Sequence, residues 1–314
     1  MSKFLVTGGA GFIGGHIVEL LVSEGHEAVV FDDFSTGSLD NLAAVAGKVK
    51  IVEGDIRDID ALNDAMRGID FVIHQAAEIS NSKSIEDPAW VNAVNVDGTL
   101  NVLISARDAG VKRLVMASSC AIYGDTGAQP QREDFLPHPL SPYGASKLCG
   151  EHYLSVFHQI YGLETVVLRY FNVFGPRQSP HSQYAAVIPI FIDRIMQGRK
   201  LHIFGDGKQT RDFAYVGDVA RANYLACTSP KAAGGVFNIS GEQSIDLNEL
   251  VDMLRGLAGR EVDVVYDPPK IGDIKYSASD PSHAREVLGY RPLVTFEEGL
   301  KRTFAYFTAK SGAA

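Results

Sequence analysis

The sequence predicts an α/β fold with a doubly wound parallel sheet and a smaller C-terminal α+β portion. Short apolar runs alternate with helix-like segments through the first half of the 314 residues, as in parallel sheets with right-handed crossovers. A glycine-rich turn joins the first apolar run to the first helix-like segment. Loops become more frequent after residue 176. We therefore predict two domains, at residues 1–172 and 173–314, with residues at about 212–228 returning to the first.

Six apolar runs are predicted to form the sheet. They are short and rich in β-branched residues, which suits strands that are buried on both faces. They occupy residues 3–7, 27–31, 50–53, 70–74, 112–117 and 164–169. A long helix is predicted over residues 88–109. Because ligands of such sheets gather at the carboxyl ends of the strands, the loops that follow these runs are the candidate site.

Composition restricts the class of partner. A chain with 46% hydrophobic and 21% charged residues is able to bury a large core. The net charge of −9 supplies no basic surface for nucleic acid, and no apolar run reaches the length of a membrane span. The cysteines Cys120, Cys149 and Cys227 have unrelated spacings, which predicts neither a disulfide framework nor a metal site. We expect a cytoplasmic protein without a metal, nucleic-acid or membrane partner.

The glycine-rich turn predicts a phosphate site. Gly8, Gly11 and Gly14 follow the first strand, and Phe12 and Ile13 open the first helix. Glycine is required there because backbone N–H groups must approach a pyrophosphate closely, and the helix N-terminus adds a partial positive charge. A glycine trio in an ordinary loop is the alternative, but a strand precedes this turn and a helix follows it.

Asp32 predicts which dinucleotide binds. It ends the second strand, eighteen residues after Gly14, where a carboxylate accepts hydrogen bonds from ribose hydroxyls and repels a 2′-phosphate. The expected cofactor is therefore NAD, although a capping or turn aspartate is the alternative. Asp55 is expected to accept from the adenine amino group and Ile56 to cover the ring. The remaining expected contacts with the cofactor are Asp33, Phe34, Ser35, Gln75, Ala76, Ala77, Asn95, Ser118, Tyr143, Lys147 and Tyr170.

A tyrosine and a lysine supply the candidate chemistry. Ser141 and a following proline are a helix start, so Tyr143 and Lys147 lie at i and i+4 on one helix face. Lowering a phenol pKa from about 10 to near 7 requires about 4 kcal/mol of differential stabilisation, which a nearby ammonium and a cationic cofactor ring can supply. Ser119 ends the fifth strand. An amphipathic helix with a half-buried tyrosine is the alternative, and His74 is interpreted as a packed histidine.

Together these motifs resemble the extended short-chain dehydrogenases/reductases, specifically nucleotide-sugar 4-epimerases of the UDP-galactose 4-epimerase type. The resemblance covers essentially the whole chain and rests on TGGAGFIG at 7–14, Asp32, NVDGT at 95–99, SSCAIYG at 118–124, SPYGASK at 141–147, RYFN at 169–172, RDF at 211–213 and GD at 272–273.

The resemblance implies a Rossmann-like NAD-binding domain and a UDP-sugar domain. It implies that Tyr143 is the catalytic base and acid, that Lys147 binds the nicotinamide ribose, and that Ser119 donates to the reacting hydroxyl. The sugar is then oxidised to a 4-keto intermediate and reduced on its other face. A homodimer formed through helices near 88–109 and 143–161 is also implied.

By the same resemblance, the substrate contacts are Ser80, Ser119, Asn172, Val187, Ile188, Arg211, Lys270, Asp273 and Ser277. Lys270 departs from the arginine usual two residues before Gly-Asp, so it lacks the planar fork of a bidentate phosphate contact. Ser277 stands where glucose-restricted epimerases carry a bulky aromatic residue. This favours UDP-GlcNAc/UDP-GalNAc over UDP-Glc/UDP-Gal, unless Ser277 lies in a solvated loop.

Three other functions are alternatives for this sequence. Dehydratases and decarboxylases of this superfamily place an acid after the fifth strand, and residues 118–122 contain none. A UDP-glucuronate 4-epimerase needs an extra cation near the sugar, for which Lys83 is the candidate. A non-catalytic NAD-binding regulator has no need of the complete Ser119, Tyr143 and Lys147 set, and turnover of a UDP-sugar separates the two.

Overall fold

The computed structural model describes residues 1–125, 127, 129–180, 186–269 and 275–312. In chain order its strands are β1 (Lys3–Thr7), β2 (Glu27–Asp32), β3 (Lys50–Glu53), β4 (Phe71–His74), β5 (Arg113–Ser119), β6 (Glu164–Tyr170), β7 (Val173–Phe174), β8 (Leu201–Phe204), β9 (Thr210–Asp212), β10 (Ala214–Tyr215), β11 (Val236–Ile239), β12 (Ser244–Asp246) and β13 (Val264–Asp267).

Its α-helices are α1 (Phe12–Ser23), α2 (Ile59–Ala65), α3 (Asn81–Glu86), α4 (Pro88–Asn92), α5 (Gly98–Asp108), α6 (Pro142–Tyr161), α7 (Val187–Met196), α8 (Val216–Thr228), α9 (Leu247–Ala258), α10 (Ser282–Leu288) and α11 (Phe296–Gly312). Short 3-10 segments occupy Leu39–Val45 and Cys120–Ile122, and a π-helical segment occupies Ala93–Asp97.

The central sheet has the order β11-β6-β5-β4-β1-β2-β3, and every pair of neighbours is parallel. The inner strands are apolar on both sides because helices cover both faces: four of the five residues of β1 are buried. The carboxyl ends of β1, β4 and β5 lie side by side, since Thr7 pairs with His74 and His74 with Met116. The predicted Rossmann-like parallel sheet is confirmed.

The predicted helix over residues 88–109 is wrong in one respect. The structure divides this stretch into α4, the π-helical segment and α5. Hydrophobic periodicity cannot detect a single wider turn, because the same residues are buried on either side of it. The π-helical segment contains Asn95, and the hydroxyl of Thr99 donates to the Asn95 carbonyl over 2.6 Å.

The C-terminal part of the chain packs partly against the central sheet and partly forms a core of its own. β11 joins the central sheet beside β6, and α8 packs against α1. Two-stranded sheets pair β7 with β10, β8 with β13 and β9 with β12. Residues of α7, α9 and α11 form a separate core with these strands. The division at residue 172 remains a prediction. In the part of the chain that the structure describes, no helix is long and apolar enough to cross a membrane.

Candidate active site

The glycine-rich turn forms a cradle of the kind an anion requires. Gly8 has φ +67°, and a Cβ on it would lie 2.7 Å from a backbone nitrogen of the loop after β4. A Cβ on Gly14 would collide with the Gly8 carbonyl. Gly11 is the N-cap of α1 and no side chain caps the helix, so the first-turn N–H groups of Phe12 and Ile13 have no capping acceptor. These features fit a pyrophosphate at the helix N-terminus.

Asp32 connects this turn to the end of β2. Its side chain is buried, and its oxygens accept from Ala10 N over 2.8 Å and from Phe34 N over 2.9 Å. Burial raises its pKa, and these two backbone hydrogen bonds oppose the rise. Each carboxylate oxygen retains a second lone pair, so ribose hydroxyls are acceptable partners. The neighbouring Asp33 accepts from the backbone and hydroxyl of Ser35.

Asp55 already has a strong partner. Arg57 binds its carboxylate through Nε and Nη2, with the shorter contact at 2.5 Å, and this guanidinium lies 4.3 Å from the Trp90 ring centroid. The hydrogen bond from Arg57 lowers the pKa of Asp55. Ile56 is buried and packs close to Gly98, where a Cβ would lie 2.6 Å from its Cδ1. An adenine amino group would share Asp55 with Arg57.

Gln75 and Tyr170 use their polar atoms inside the fold. Gln75 Nε2 donates to the Tyr170 hydroxyl over 3.0 Å, and that hydroxyl also bonds to the buried Asn223 of α8. Asn223 was not identified from the sequence. The small residues Ala76 and Ala77 follow on the loop, and both are partly exposed. The loop therefore offers the cofactor chiefly its backbone.

The structure brings Ser119, Tyr143 and Lys147 together. Ser141 caps α6 by accepting from the amide that follows Tyr143, over 3.1 Å, so Tyr143 lies in the first turn and Lys147 one turn later. Both side chains are buried, and Lys147 Nζ donates to the Ala117 carbonyl of β5 over 3.0 Å. The Ser119 hydroxyl lies close enough to the phenol to lower its pKa. The strand end and the helix face thus hold a hydroxyl, a phenol and an ammonium side by side.

Burial dominates the electrostatics of this group. It raises the pKa of Tyr143 to about 12, and the hydrogen bond with Ser119 opposes the rise. It also lowers the pKa of Lys147 to about 8, against the attraction of Glu151. The expected lowering of the phenol pKa by Lys147 is therefore absent in the protein alone. Additional positive charge beside the phenol is needed before it accepts a proton near neutral pH.

Ser118 points into a buried polar network that the sequence analysis missed. Its hydroxyl donates to Glu151 over 2.5 Å, and Arg169 binds the same carboxylate over 2.7 Å. Arg169 also donates to the hydroxyl of Tyr123 over 2.9 Å. Glu151 follows Lys147 by four residues, so helical spacing alone was a signal that it faces the same side. Ser118, predicted to contact the cofactor, has its hydroxyl committed to this network.

The side chain of Asn95 connects the loop after β4 to α6 through hydrogen bonds. Its amide accepts from Glu78 N over 2.8 Å and donates to Glu78 O and to Ser146 Oγ, each over 2.9 Å. Ser80 caps α3 by accepting from Lys83 N over 3.0 Å. Lys83 forms an ion pair of 2.6 Å with Glu78. These predicted contact residues therefore shape the loop that borders the site.

The predicted diphosphate contacts come from the C-terminal part of the chain. Asn172 Nδ2 donates to the Asp212 carbonyl over 3.0 Å, which fixes the loop between β6 and β7 against β9. Arg211 lies in β9, and its charge acts on the thiol of Cys120 beside Ser119. The Arg211 guanidinium therefore lies within electrostatic range of the strand end that carries Ser119.

Of the other predicted substrate contacts, some are described and some are not. Val187 begins α7, and Ile188 behind it is almost completely buried. Lys270 and Asp273 lie outside the described residues, so their predicted substrate contacts are not described either.

Ser277 is 6% exposed. The side chain of Gln129 brackets it, because Nε2 donates to the Tyr276 carbonyl over 3.1 Å and Oε1 accepts from Ala278 N over 2.9 Å. The carboxamide thus hydrogen-bonds to the backbone on both sides of Ser277, as a neighbouring strand would. The position is therefore buried and fixed on both sides, and it does not lie in a solvated loop.

Comparison with known proteins agrees with this geometry. The family described as "NAD dependent epimerase/dehydratase family" matches residues 4–240. The UDP-glucose 4-epimerase of Mycolicibacterium smegmatis is 39% identical over 98% of this chain and 99% of its own.

Two solved structures are similar over nearly the whole chain. The UDP-N-acetylglucosamine 4-epimerase of Methanobrevibacter ruminantium, in complex with UDP-N-acetylmuramic acid, has a TM-score of 0.94 at 38% identity, covering 98% of this chain and 99% of that one. The UDP-glucose 4-epimerase of Thermus thermophilus, in complex with NAD, has a TM-score of 0.89 at 40% identity with the same coverage.

These matches confirm the resemblance to nucleotide-sugar 4-epimerases and the expectation that NAD is the cofactor. The glycine cradle, the uncapped helix and Asp32 fit that cofactor. The chain therefore belongs to the NAD dependent epimerase/dehydratase family, and it is an NAD-dependent nucleotide-sugar 4-epimerase.

Proposed function

We propose that the protein interconverts UDP-GlcNAc and UDP-GalNAc, with UDP-Glc and UDP-Gal as poorer substrates. The observation that carries the choice of sugar is the buried, small side chain of Ser277, which Gln129 holds in place. A small residue at a fixed position leaves room for a 2-acetamido group, whereas a large aromatic residue would fill that room.

Three side chains of the protein take part in the reaction, two at the sugar and one at the cofactor. Tyr143 takes the proton of the 4-hydroxyl and later returns one, so the proton resides on its phenol oxygen between the two half-reactions. Ser119 forms a hydrogen bond with the same hydroxyl and with the phenol. Lys147 holds the nicotinamide ribose and adds positive charge beside the phenol. NAD, when bound beside these side chains, would supply the hydride acceptor and donor for C4.

The remaining predicted contacts are assigned to binding. Asp32 with the glycine-rich turn holds the cofactor and disfavours a 2′-phosphate. Asn172, Arg211 and Lys270 hold the diphosphate and nucleotide, Asp273 is a further substrate contact, and Val187 and Ile188 line the nucleotide pocket. Residues 1–172 are proposed to carry the cofactor and residues 173–314 mainly the substrate.

UDP-glucuronate is the second candidate substrate to be tested. The cation that was considered for its carboxylate, Lys83, is paired with Glu78 over 2.6 Å. Recognition of a carboxylate by Lys83 would therefore require this ion pair to open, which favours a neutral sugar.

A homodimer is proposed through the α4–α5 helices and α6. On α6 the apolar side chains of Val156, Ile160 and Tyr161 are 48%, 71% and 51% exposed. Light scattering of the protein and of Ile160→Glu tests this: we expect a dimer that the charge converts to a monomer. A monomeric unmodified protein would contradict the proposal.

The substrate is tested by a panel. Purified protein is incubated with UDP-GlcNAc, UDP-Glc or UDP-glucuronate, with and without added NAD, and the products are separated and identified by NMR. We expect UDP-GlcNAc to be converted with the largest kcat/KM. Conversion of UDP-Glc alone would contradict the choice of sugar and leave the mechanism intact, while conversion of UDP-glucuronate alone would reassign the substrate.

A variant sharpens this test. Ser277→Tyr should lower kcat/KM for UDP-GlcNAc by about 10- to 100-fold, and lower that for UDP-Glc much less, because the ring fills the space for the acetamido group. Ser282→Tyr, at an exposed position of α10, is the matched control and should leave the ratio of the two substrates unchanged.

A further inference from the structure

His74 ends β4 between two strands that carry site residues, and the mechanism described above does not use it. In the sheet it pairs with Thr7 of β1 on one side and with Met116 of β5 on the other. Its side chain is 2% exposed. Both ring nitrogens have partners: Nδ1 is 2.7 Å from Thr7 Oγ1, and Nε2 is 3.0 Å from Thr99 Oγ1.

The direction of these hydrogen bonds follows from the neighbours. Thr99 has one hydroxyl proton and donates it to the Asn95 carbonyl over 2.6 Å. Thr99 must therefore accept from His74, so Nε2 carries the proton and Nδ1 accepts from the Thr7 hydroxyl. Thr7 in turn accepts from Ala76 N over 3.3 Å. Every donor and acceptor is satisfied when the imidazole is neutral.

Protonation of His74 would break this arrangement. A proton on Nδ1 would face the Thr7 hydroxyl, which would lose its acceptor. Burial, aided by the charge of Lys147, lowers the pKa of His74 to about 3. The ring therefore stays neutral at the pH values at which the enzyme is assayed. The link that His74 forms between Thr7 and Thr99 does not depend on pH in that range.

Each end of the link reaches a different half of the active site. Thr7 directly precedes Gly8 of the glycine-rich turn. On the other end, Asn95 donates to Ser146 Oγ over 2.9 Å, and Ser146 donates to the carbonyl of Tyr143 over 2.8 Å. His74 thus joins the pyrophosphate cradle to the first turn of the helix that presents the phenol.

We infer that His74 is a positioning residue that sets the glycine-rich turn and the Tyr143 helix at a fixed separation, with one ring nitrogen serving each side. The Nδ1 bond holds the cofactor cradle, and the Nε2 bond holds the π-helical segment and through it the phenol. This inference rests on the roles proposed for Tyr143 and for the glycine-rich turn. Misplacement of reacting groups by about 1 Å costs about 10²-fold in rate.

Two pairs of variants separate the two bonds. His74→Asn places an amide oxygen where Nδ1 was and keeps only the bond to Thr7, while His74→Gln places an amide N–H where Nε2 was and keeps only the bond to Thr99. Thr99→Val and Thr7→Val remove the same bonds from the other partner with little change in shape. Each also removes one further bond, that of Thr99 to the Asn95 carbonyl or that of Ala76 N to Thr7. Each histidine variant therefore has a matched threonine variant.

Two measurements are made on all four proteins. The first is the rate at which bound NAD is released, followed without sugar, and the second is steady-state kinetics, which gives kcat and KM for the UDP-sugar that the unmodified enzyme converts. His74→Gln and Thr7→Val should release NAD at least 10-fold faster, with kcat recovering when NAD is added. His74→Asn and Thr99→Val should retain NAD and lose about 10- to 100-fold in kcat, with KM for the sugar within 2-fold.

The inference requires that one pair of variants loses bound NAD and the other pair loses kcat. Matching losses of both quantities in all four variants, or losses that follow only the fall in Tm, would show a merely structural histidine and overturn the inference. Unchanged NAD release and kcat in both histidine variants would overturn it as well. Failure of the proposed sugar assignment is distinguishable, because NAD release is measured without sugar.

Discussion

The two sides of the active site are built in different ways. On the cofactor side, residues at the ends of β1, β4 and β5 lie in a seven-stranded sheet, and they are hydrogen-bonded to one another and to buried side chains of α5 and α6. On the substrate side, Arg211 and Ser277 lie on a two-stranded sheet and a loop, held by contacts such as the Gln129 carboxamide. We infer that the chemistry is fixed by the sheet and that substrate choice is left to the C-terminal segment.

Tyr143→Phe should give the largest loss of activity, because it removes the proposed proton carrier from the cofactor side. We expect kcat to fall about 10³-fold or more, with NAD still bound. Tyr123→Phe is the control: its hydroxyl bonds to Asn238 over 2.7 Å in the buried network, so its kcat should change only a few-fold. Steady-state kinetics of both variants checks the prediction, and equal losses would contradict it.

Glu151→Gln tests how strongly the stability of the cofactor side depends on its buried charges. The Glu151 and Arg169 side chains are both 6% exposed, so removing one charge leaves the other buried without a counter-ion. We expect the free energy of unfolding to fall by about 3–5 kcal/mol, measured by urea denaturation. The control is Glu164→Gln, because Glu164 is 46% exposed and Arg113 retains three backbone carbonyls. It should cost about 1 kcal/mol or less.

Asp212→Asn probes the substrate side through pH. Burial raises the pKa of Asp212 to about 6, and the hydrogen bond from Gly241 N over 2.9 Å opposes the rise. Between the unfolded pKa of about 3.9 and pH 6 the folded state binds more protons than the unfolded state, so stability falls as the pH rises.

The asparagine variant lacks this loss and still accepts from Gly241. The difference in free energy of unfolding, variant minus unmodified protein, should therefore increase by about 1–3 kcal/mol from pH 4 to pH 7. Urea denaturation across that range is the measurement, and a difference that does not change with pH would contradict the burial effect.

Much of the cofactor side was predictable from local sequence. Glycine at a tight strand-to-helix turn, an acid at the next strand end, and a tyrosine and lysine one helical turn apart each follow from short-range geometry. The predicted bounds of β1 and β3 agree with the structure.

What local sequence could not show is contact between distant segments. His74 is 67 residues from Thr7 and 25 from Thr99, and a single histidine in an apolar strand carries no sign of either partner. Gln129 lies 149 residues from Ala278. Helical spacing likewise indicates a neighbouring charge but not the depth of burial, which raises the pKa of Tyr143 to about 12 in the protein alone.

The most direct test of the epimerase mechanism follows the hydrogen at C4. The preferred UDP-sugar is prepared with deuterium at C4, converted in ordinary water, and the product is examined by NMR and mass spectrometry. Because Tyr143 handles only the hydroxyl proton and the C4 hydrogen moves as hydride, we expect an inverted product that keeps its deuterium at C4. Loss of the deuterium to water would contradict this mechanism.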